Sequence, residues 1–156
     1  GSLLVATTAK GLCSVALGDS EEQLVADLHQ AFSAAEIESD DARLQTPIEV
    51  LLAHLVGQNP DLDLPVDVPA TAFQWRVWQI LRSIGYGETR SYSQIAAILG
   101  QPQAVRAVAR ACATNPVALV VPCHRVVRSD GSLGGFRWGL DRKQSLLAQE
   151  RLYAAR

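Results

Sequence analysis

Apolar and polar positions divide this 156-residue chain into short, well-punctuated elements. Leu3–Thr7 and Leu12–Leu17 are rich in aliphatic and β-branched residues around the turn-like Ala9-Lys10-Gly11, and predict two short strands. Ser20-Glu21-Glu22-Gln23 then reads as a capping box that opens a helix with Leu24, Leu28 and Phe32 on one stripe. The acidic run Glu36–Ala42 reads as a loop, and Thr46-Pro47-Ile48-Glu49 as a second helix start with proline at the first helical position. Asn59–Pro69 holds three prolines and three aspartates and is the strongest linker signal. Beyond it, Thr71 caps a helix with the stripe Phe73, Val77, Ile80, Leu81 and Ile84, which Gly85-Tyr86-Gly87 ends. Ser91 caps another, carrying Ile95, Ile98 and Leu99. After Gly100-Gln101-Pro102, an alanine-rich helix runs from Gln103 to Thr114 and stops at Asn115-Pro116. Val117–Val121 predicts a buried strand, and Asp141 predicts the cap of a last helix bearing Leu146, Leu147 and Leu152. The pattern predicts an α/β chain with a boundary at the linker: a lobe over 3–68 and a second, mainly helical domain over 69–156.

Composition sharpens that boundary. Nearly half the residues are apolar, enough for a true core, and charges interrupt every stretch before membrane-spanning length. Residues 1–69 hold only two Lys/Arg against twelve Asp/Glu, a net of −10; residues 70–156 hold the other twelve Lys/Arg and four Asp/Glu, a net of +8. The basic half points to a polyanionic partner. Three widely spaced cysteines read neither as a disulfide framework nor as a CxxC metal site, and a reducing, cytoplasmic setting follows most simply. Cys13 and His29 lack further ligands at metal spacing, so no metal is expected. Gly1-Ser2 reads as an appended dipeptide before a strand that opens abruptly at Leu3, which leaves room for natural sequence upstream.

Two stretches carry candidate chemistry. The paired helices around Gly100-Gln101-Pro102 have the layout of a helix-turn-helix. In the second, Ala104, Ala107, Ala109, Ala111 and Ala113 allow close backbone approach, and Arg106 and Arg110 project from one side, as phosphate contacts require. A helix packed on the core with two solvated arginines would show the same pattern. The other stretch is "LVVPCHRVV", Leu119–Val127, where an aliphatic run meets Pro122 and then a thiol, an imidazole and a guanidinium. A buried cysteine is most often an inert small hydrophobe. Here the proline ends pairing, and His124 and Arg125 favour a thiolate at Cys123, the nucleophilic form. In an extended segment His124 would point away from Cys123, so a bend or a bridging water is required. Glu150 is the candidate to orient the base, as one of only four acidic residues in this half.

Taken together, "PCHRVV", "VRAVARACATNP", "GGFRWGLDRKQSLLAQE" and "TAFQWRVWQILRSIGYGETRSYSQIA" resemble the O6-alkylguanine-DNA alkyltransferases, also called methylated-DNA–protein-cysteine methyltransferases. The likeness is dense from Ala70 to Glu150, and residues 3–68 resemble the family's more variable N-terminal lobe, most like the alkyltransferase half of bacterial Ada-type proteins. The resemblance implies a ribonuclease H-like α/β lobe followed by a mainly helical lobe with a helix-turn-helix. It implies a DNA repair enzyme that takes the O6-alkyl group of guanine, mainly methyl, onto Cys123 once and irreversibly, without a cofactor. It assigns His124 as base through a water, Glu150 as its orienting partner, Tyr92 as donor to guanine N3 and Asn115 as a brace beside the active-site loop. Arg106 would fill the space of a flipped nucleotide, with Arg110, Ala107, Tyr92 and Arg125 at the DNA. Val126, Phe136, Arg137 and Trp138 would line the pocket, Trp138 narrowing its entrance. The implied partner is double-stranded DNA carrying O6-alkylguanine, bound by a monomer with no membrane association. Two rivals remain: a non-enzymatic lesion-binding or transcription-regulating helix-turn-helix module, which needs no thiol at 123, and a cysteine hydrolase, which would turn over.

Overall fold

A computed structural model describes all 156 residues. Strands β1 (Ser2–Thr7) and β2 (Leu12–Gly18) form an antiparallel hairpin, followed by helices α1 (Glu21–Ala31) and α2 (Asp41–Leu55). Helices α3 (Ala72–Arg82), α4 (Tyr92–Ile98) and α5 (Val105–Ala113) come next, then a 3-10 turn at Cys123–Arg125 and helix α6 (Leu140–Ala154). A two-residue strand, β3 (Arg90–Ser91), pairs in parallel with β4 (Val126–Val127). The protein is thus a mixed α/β fold of six helices and two small sheets. None of its helices is long and apolar enough to cross a membrane.

One hydrophobic core spans both halves of the chain. Leu12 and Val15 of β2 and Leu51 of α2 join Val77, Trp78, Ile95, Val108, Val121 and Leu146 in a continuous cluster. Residues 59–69 are not a free tether. Leu12 N donates to Pro65 O and Asp67 N to Leu12 O, both at 2.8 Å, so the segment lies along β2. Gly11 permits that approach, because a Cβ there would sit 2.6 Å from Pro65 O.

Capping explains where the helices begin and where the sequence misleads. Thr71 and Ser91 form complete capping boxes with Gln74 and Gln94. Ser20 caps α1 by accepting from Gln23 N, but the Gln23 side chain turns to Asp27, so only half of the expected box forms. Helix α2 starts six residues before the Thr46-Pro47 signal, because Asp40 accepts from Arg43 N and closes the first turn there. Pro47 therefore lies inside the helix, where it leaves Arg43 O without its usual donor. At α6 the cap is Gly139 at φ 101°, and Asp141 sits in the first turn rather than at the cap.

The expected strand at Val117–Val121 is a turn. Asn115 Oδ1 accepts from Val117 N at 2.9 Å while Asn115 Nδ2 donates to Val121 O at 2.8 Å. One short side chain thus holds both ends of a segment that, fully extended, would separate them by about 13 Å. Val117 makes a single parallel bridge to Val15, and Leu119 then takes the left-handed conformation at φ 70° to reverse the chain. That reversal delivers Pro122 and Cys123 into the core.

Candidate active site

Cys123 is 4 % exposed and opens the 3-10 turn. Asn115 Nδ2, already bonded to Val121 O, also reaches Cys123 Sγ at 3.3 Å. Burial raises the thiol's pKa, against the opposing influence of the Asn115 hydrogen bond and the Lys143 charge. The resting sulfur is therefore a thiol, and losing its proton requires a base.

The chain bends at Cys123–Arg125 in a 3-10 turn, and His124 is completely buried. His124 Nε2 lies 2.7 Å from Glu150 Oε1. Burial alone would raise the Glu150 pKa, but hydrogen bonds from His124 and Arg125 outweigh it and hold the carboxyl down at about 2. An ionised carboxylate only accepts, so His124 Nε2 carries the proton and Nδ1 is left bare. His124 Nδ1 is buried and has no hydrogen-bond partner. Burial also lowers the His124 pKa. Glu150 does not reverse that, because its charge is already matched by Arg125. The result is a neutral imidazole with a fixed tautomer and a free basic nitrogen, on the residue next to the thiol and not in direct hydrogen-bond contact with any group.

Arg125 is turned into the protein rather than presented on the surface, where the expected DNA contact would need it. Its guanidinium is 5 % exposed. Nε donates to both Glu150 oxygens at 3.2 and 2.9 Å, Nη2 to Glu150 Oε1 at 2.9 Å, and Nη1 to Ile84 O at 2.7 Å. The 3-10 turn rotates the side chain inward, and a buried carboxylate needs such a partner.

Tyr92, first residue of α4, is half-buried and its pKa is pushed up to about 12, first by burial and then by Cys112 and Cys123. It therefore remains a hydroxyl and a donor. Lys143 is a member of this site that the sequence did not single out. It is completely buried in α6, with Nζ donating to Val126 O at 2.6 Å and Gly135 O at 3.1 Å and lying 5.8 Å from the Tyr92 ring centre. Its one legible signal was a lysine among the apolar α6 positions Leu146 and Leu147. Gly134 also belongs here: at φ 69°, a Cβ there would stand 2.8 Å from the Tyr92 hydroxyl. The loop therefore closes directly on Tyr92.

Phe136 meets His124 edge-on at 6.5 Å and Trp138 at 5.3 Å. Arg137 Nη1 donates to Asn115 O at 3.2 Å, and its guanidinium covers Trp138 at 5.5 Å. Trp138 lines a groove of about 450 Å³ with Leu17, Leu24 and Arg142, away from Cys123. It packs on Phe136, the ring that meets His124, rather than on His124 itself. On α5, Val108, Ala111 and Cys112 face the core while Arg106 and Arg110 are exposed with no internal partner, and Ala107 is half-buried between them. Trp78 Nε1 ties α3 to this helix through Ala111 O at 2.9 Å.

Residues 72–152 match the family described as 6-O-methylguanine DNA methyltransferase, DNA binding domain. The chain is 48 % identical over 150 residues to the bifunctional transcriptional activator/DNA repair enzyme Ada of Escherichia coli (strain K12), covering 96 % of this chain and 42 % of that protein. It therefore spans about two-fifths of that relative's length. It is 38 % identical over 148 residues to the inducible methylated-DNA–protein-cysteine methyltransferase of Bacillus subtilis (strain 168), covering 94 % and 83 % of the two chains. The crystal structure of Mycobacterium tuberculosis OGT in complex with DNA matches with a TM-score of 0.77 at 32 % identity, over 97 % of this chain and 87 % of that one. With a family match over more than half its length and a relative of this similarity along almost its whole course, the chain belongs to the 6-O-methylguanine DNA methyltransferase family.

Proposed function

We propose that this protein repairs double-stranded DNA by moving the O6-alkyl group of guanine, mainly methyl, irreversibly onto Cys123. The observation that carries this reading is the bare, buried Nδ1 of His124, whose other nitrogen is committed to Glu150 at 2.7 Å. A buried cysteine that served only packing would need no such base.

In this reading the thiol proton passes through a water to His124 Nδ1. The sulfur's electron pair forms the new S–C bond as the C–O6 bond breaks, and that bond's pair passes into the guanine. Tyr92 donates to N3 of the departing base, which stabilises the charge that develops there. Net, the thiol loses one proton and guanine gains one, so no cofactor is needed. The thioether has no ready leaving group, and each molecule acts once. Asn115 holds the loop, and Val126, Phe136 and Arg137 border the base. Val126 O retains an acceptor position beside its bond from Lys143.

The target atom lies within the base stack, so the nucleotide must be extruded. Arg106 takes its place in the duplex, and Ala107 and Arg110 lie along the DNA; exposure of both arginines on one helix, free of internal partners, supports this. Residues 69–156 carry the reaction and residues 3–68 form a lobe beside them, for which a ribonuclease H-like form is supported only by the β1–β2 hairpin with α1 and α2. The protein acts as a monomer in the cytoplasm, a setting consistent with three free thiols. The test is stoichiometry. With excess duplex carrying O6-methylguanine, transfer should stop at one methyl per protein, and Cys123→Ala should bind the duplex but transfer none. Continued turnover would favour a hydrolase.

A further inference from the structure

The pair His124–Glu150 is backed by a stack that begins in the first half of the chain. His54, near the end of α2, is 2 % exposed. Its Nδ1 lies 2.7 Å from Asn59 O. A carbonyl only accepts, so Nδ1–H donates and Nε2, which has no partner, is bare. The His54 ring meets Tyr86 at 5.3 Å and 86°, edge against face. On Tyr86 in turn sits the Arg125 guanidinium, 5.6 Å from the ring centre. Arg125 grips both oxygens of Glu150, and Glu150 holds His124. The series His54, Tyr86, Arg125, Glu150, His124 is continuous, and neither of its first two members belongs to the reaction described above.

We propose that His54 and Tyr86 are positioning residues for alkyl transfer: they hold the Arg125 plane on Glu150, so that Glu150 orients His124 without drawing it into the charged form. The inference rests on the alkyltransferase reading. Its physics is a competition for one carboxylate. With Arg125 seated on both oxygens, Glu150 has little charge left to stabilise an imidazolium. If the guanidinium swings away, one oxygen is freed. Water can then enter from the cavity of about 220 Å³ that Arg125 lines with His54, Tyr86, Asp61, Asp63 and Arg82. Both changes make His124 easier to protonate.

The charged and titratable groups around this series are few. Cys123 lies on the turn, Lys143 and Tyr153 on α6, Arg82 at the end of α3, and Asp61 and Asp63 on the segment after α2. His54 itself titrates, and its pKa is lowered, by burial first. A test must therefore separate its charge from its packing.

Single-turnover methyl transfer from an O6-methylguanine duplex would be followed across pH with the whole chain. His54→Ala and His54→Phe both delete the titrating group, but only Phe keeps a ring edge on Tyr86. Tyr86→Leu and Tyr86→Phe make the same contrast one layer in. The Ala and Leu variants should move the acid limb of the rate profile to higher pH, lowering the acid-side rate about tenfold for every pH unit the limb moves, with the alkaline plateau nearly kept. The two Phe variants should track the wild type. A uniform loss across pH that follows thermal stability, an unmoved limb, or a Phe variant that behaves like its small counterpart would overturn the proposal. Should one pair fail to fold, the other decides. A wild type that transfers no methyl at any pH would instead sink the alkyltransferase reading.

Discussion

Glu150 Oε1 lies 2.7 Å from His124 Nε2, and this contact decides which nitrogen of the imidazole is free to act. The carboxylate is itself fixed by Arg125, so a single buried group sets both a tautomer and a guanidinium.

Glu150→Gln should therefore do double damage. The amide can still accept from His124, but it leaves Arg125 buried without its counter-charge. Breaking a buried pair in this way costs about 3–5 kcal/mol. An uncharged amide held less firmly, no longer clamped by Arg125, orients the base poorly and should slow transfer by about 10²-fold. Thermal unfolding and single-turnover kinetics read the two effects separately, and a variant near wild type in both would remove Glu150 from this role.

Acid sensitivity follows from burial. His124 and His54 both have pKa values lowered from 6.5 in the folded protein. Between 6.5 and those lower values the unfolded chain binds protons that the folded one refuses. Stability should be at its plateau above 6.5 and fall as pH drops below it. Glu150, depressed from 4.5 to about 2, adds a further loss only below 4.5. Urea unfolding at a series of pH values checks this, and a stability that rises between about pH 6.5 and 5 would contradict it.

Salt dependence should distinguish the arginines. Arg106→Ala and Arg110→Ala each remove an exposed cation and should lower the slope of log affinity against log salt by about 1. Arg125→Ala should chiefly lower thermal stability. Filter binding of a short duplex across salt concentrations makes the comparison, and equal slopes for Arg106→Ala and wild type would take Arg106 off the DNA.

The loop offers a fourth test. Gly134→Ala forces a methyl to within 2.8 Å of the Tyr92 hydroxyl at a strained φ, so it should slow transfer while leaving duplex affinity within about twofold. Trp138→Gly removes a half-buried indole and should cost about 1–2 kcal/mol in stability. Because Trp138 faces the groove by Leu17 and Leu24, the ratio of rates for benzyl and methyl substrates should stay unchanged. A ratio moved strongly toward benzyl would restore Trp138 as an entrance residue.

Much of this was legible in the sequence where local chemistry decides. Thr71 and Ser91 announce α3 and α4 because capping is a matter of four residues. Cys123, His124 and Glu150 were legible because a thiol, an imidazole and a rare carboxylate stand out from their surroundings. What failed depended on partners far along the chain. Val117–Val121 reads as a strand by composition, and only the two bonds from Asn115 make it a turn. Arg125 reads as a DNA contact until Glu150, twenty-five residues away, claims it. Lys143 looks like a surface lysine until the loop carbonyls of Val126 and Gly135 close over it.

The central claim is that Cys123 receives the alkyl group. The most direct measurement is peptide mass mapping of the protein after reaction with a duplex carrying O6-methylguanine. The account predicts one added CH2 on the peptide containing Cys123, with Cys13 and Cys112 unmodified. A methyl on either of those thiols, or an unmodified Cys123 in a preparation that has cleared the lesion, would contradict it.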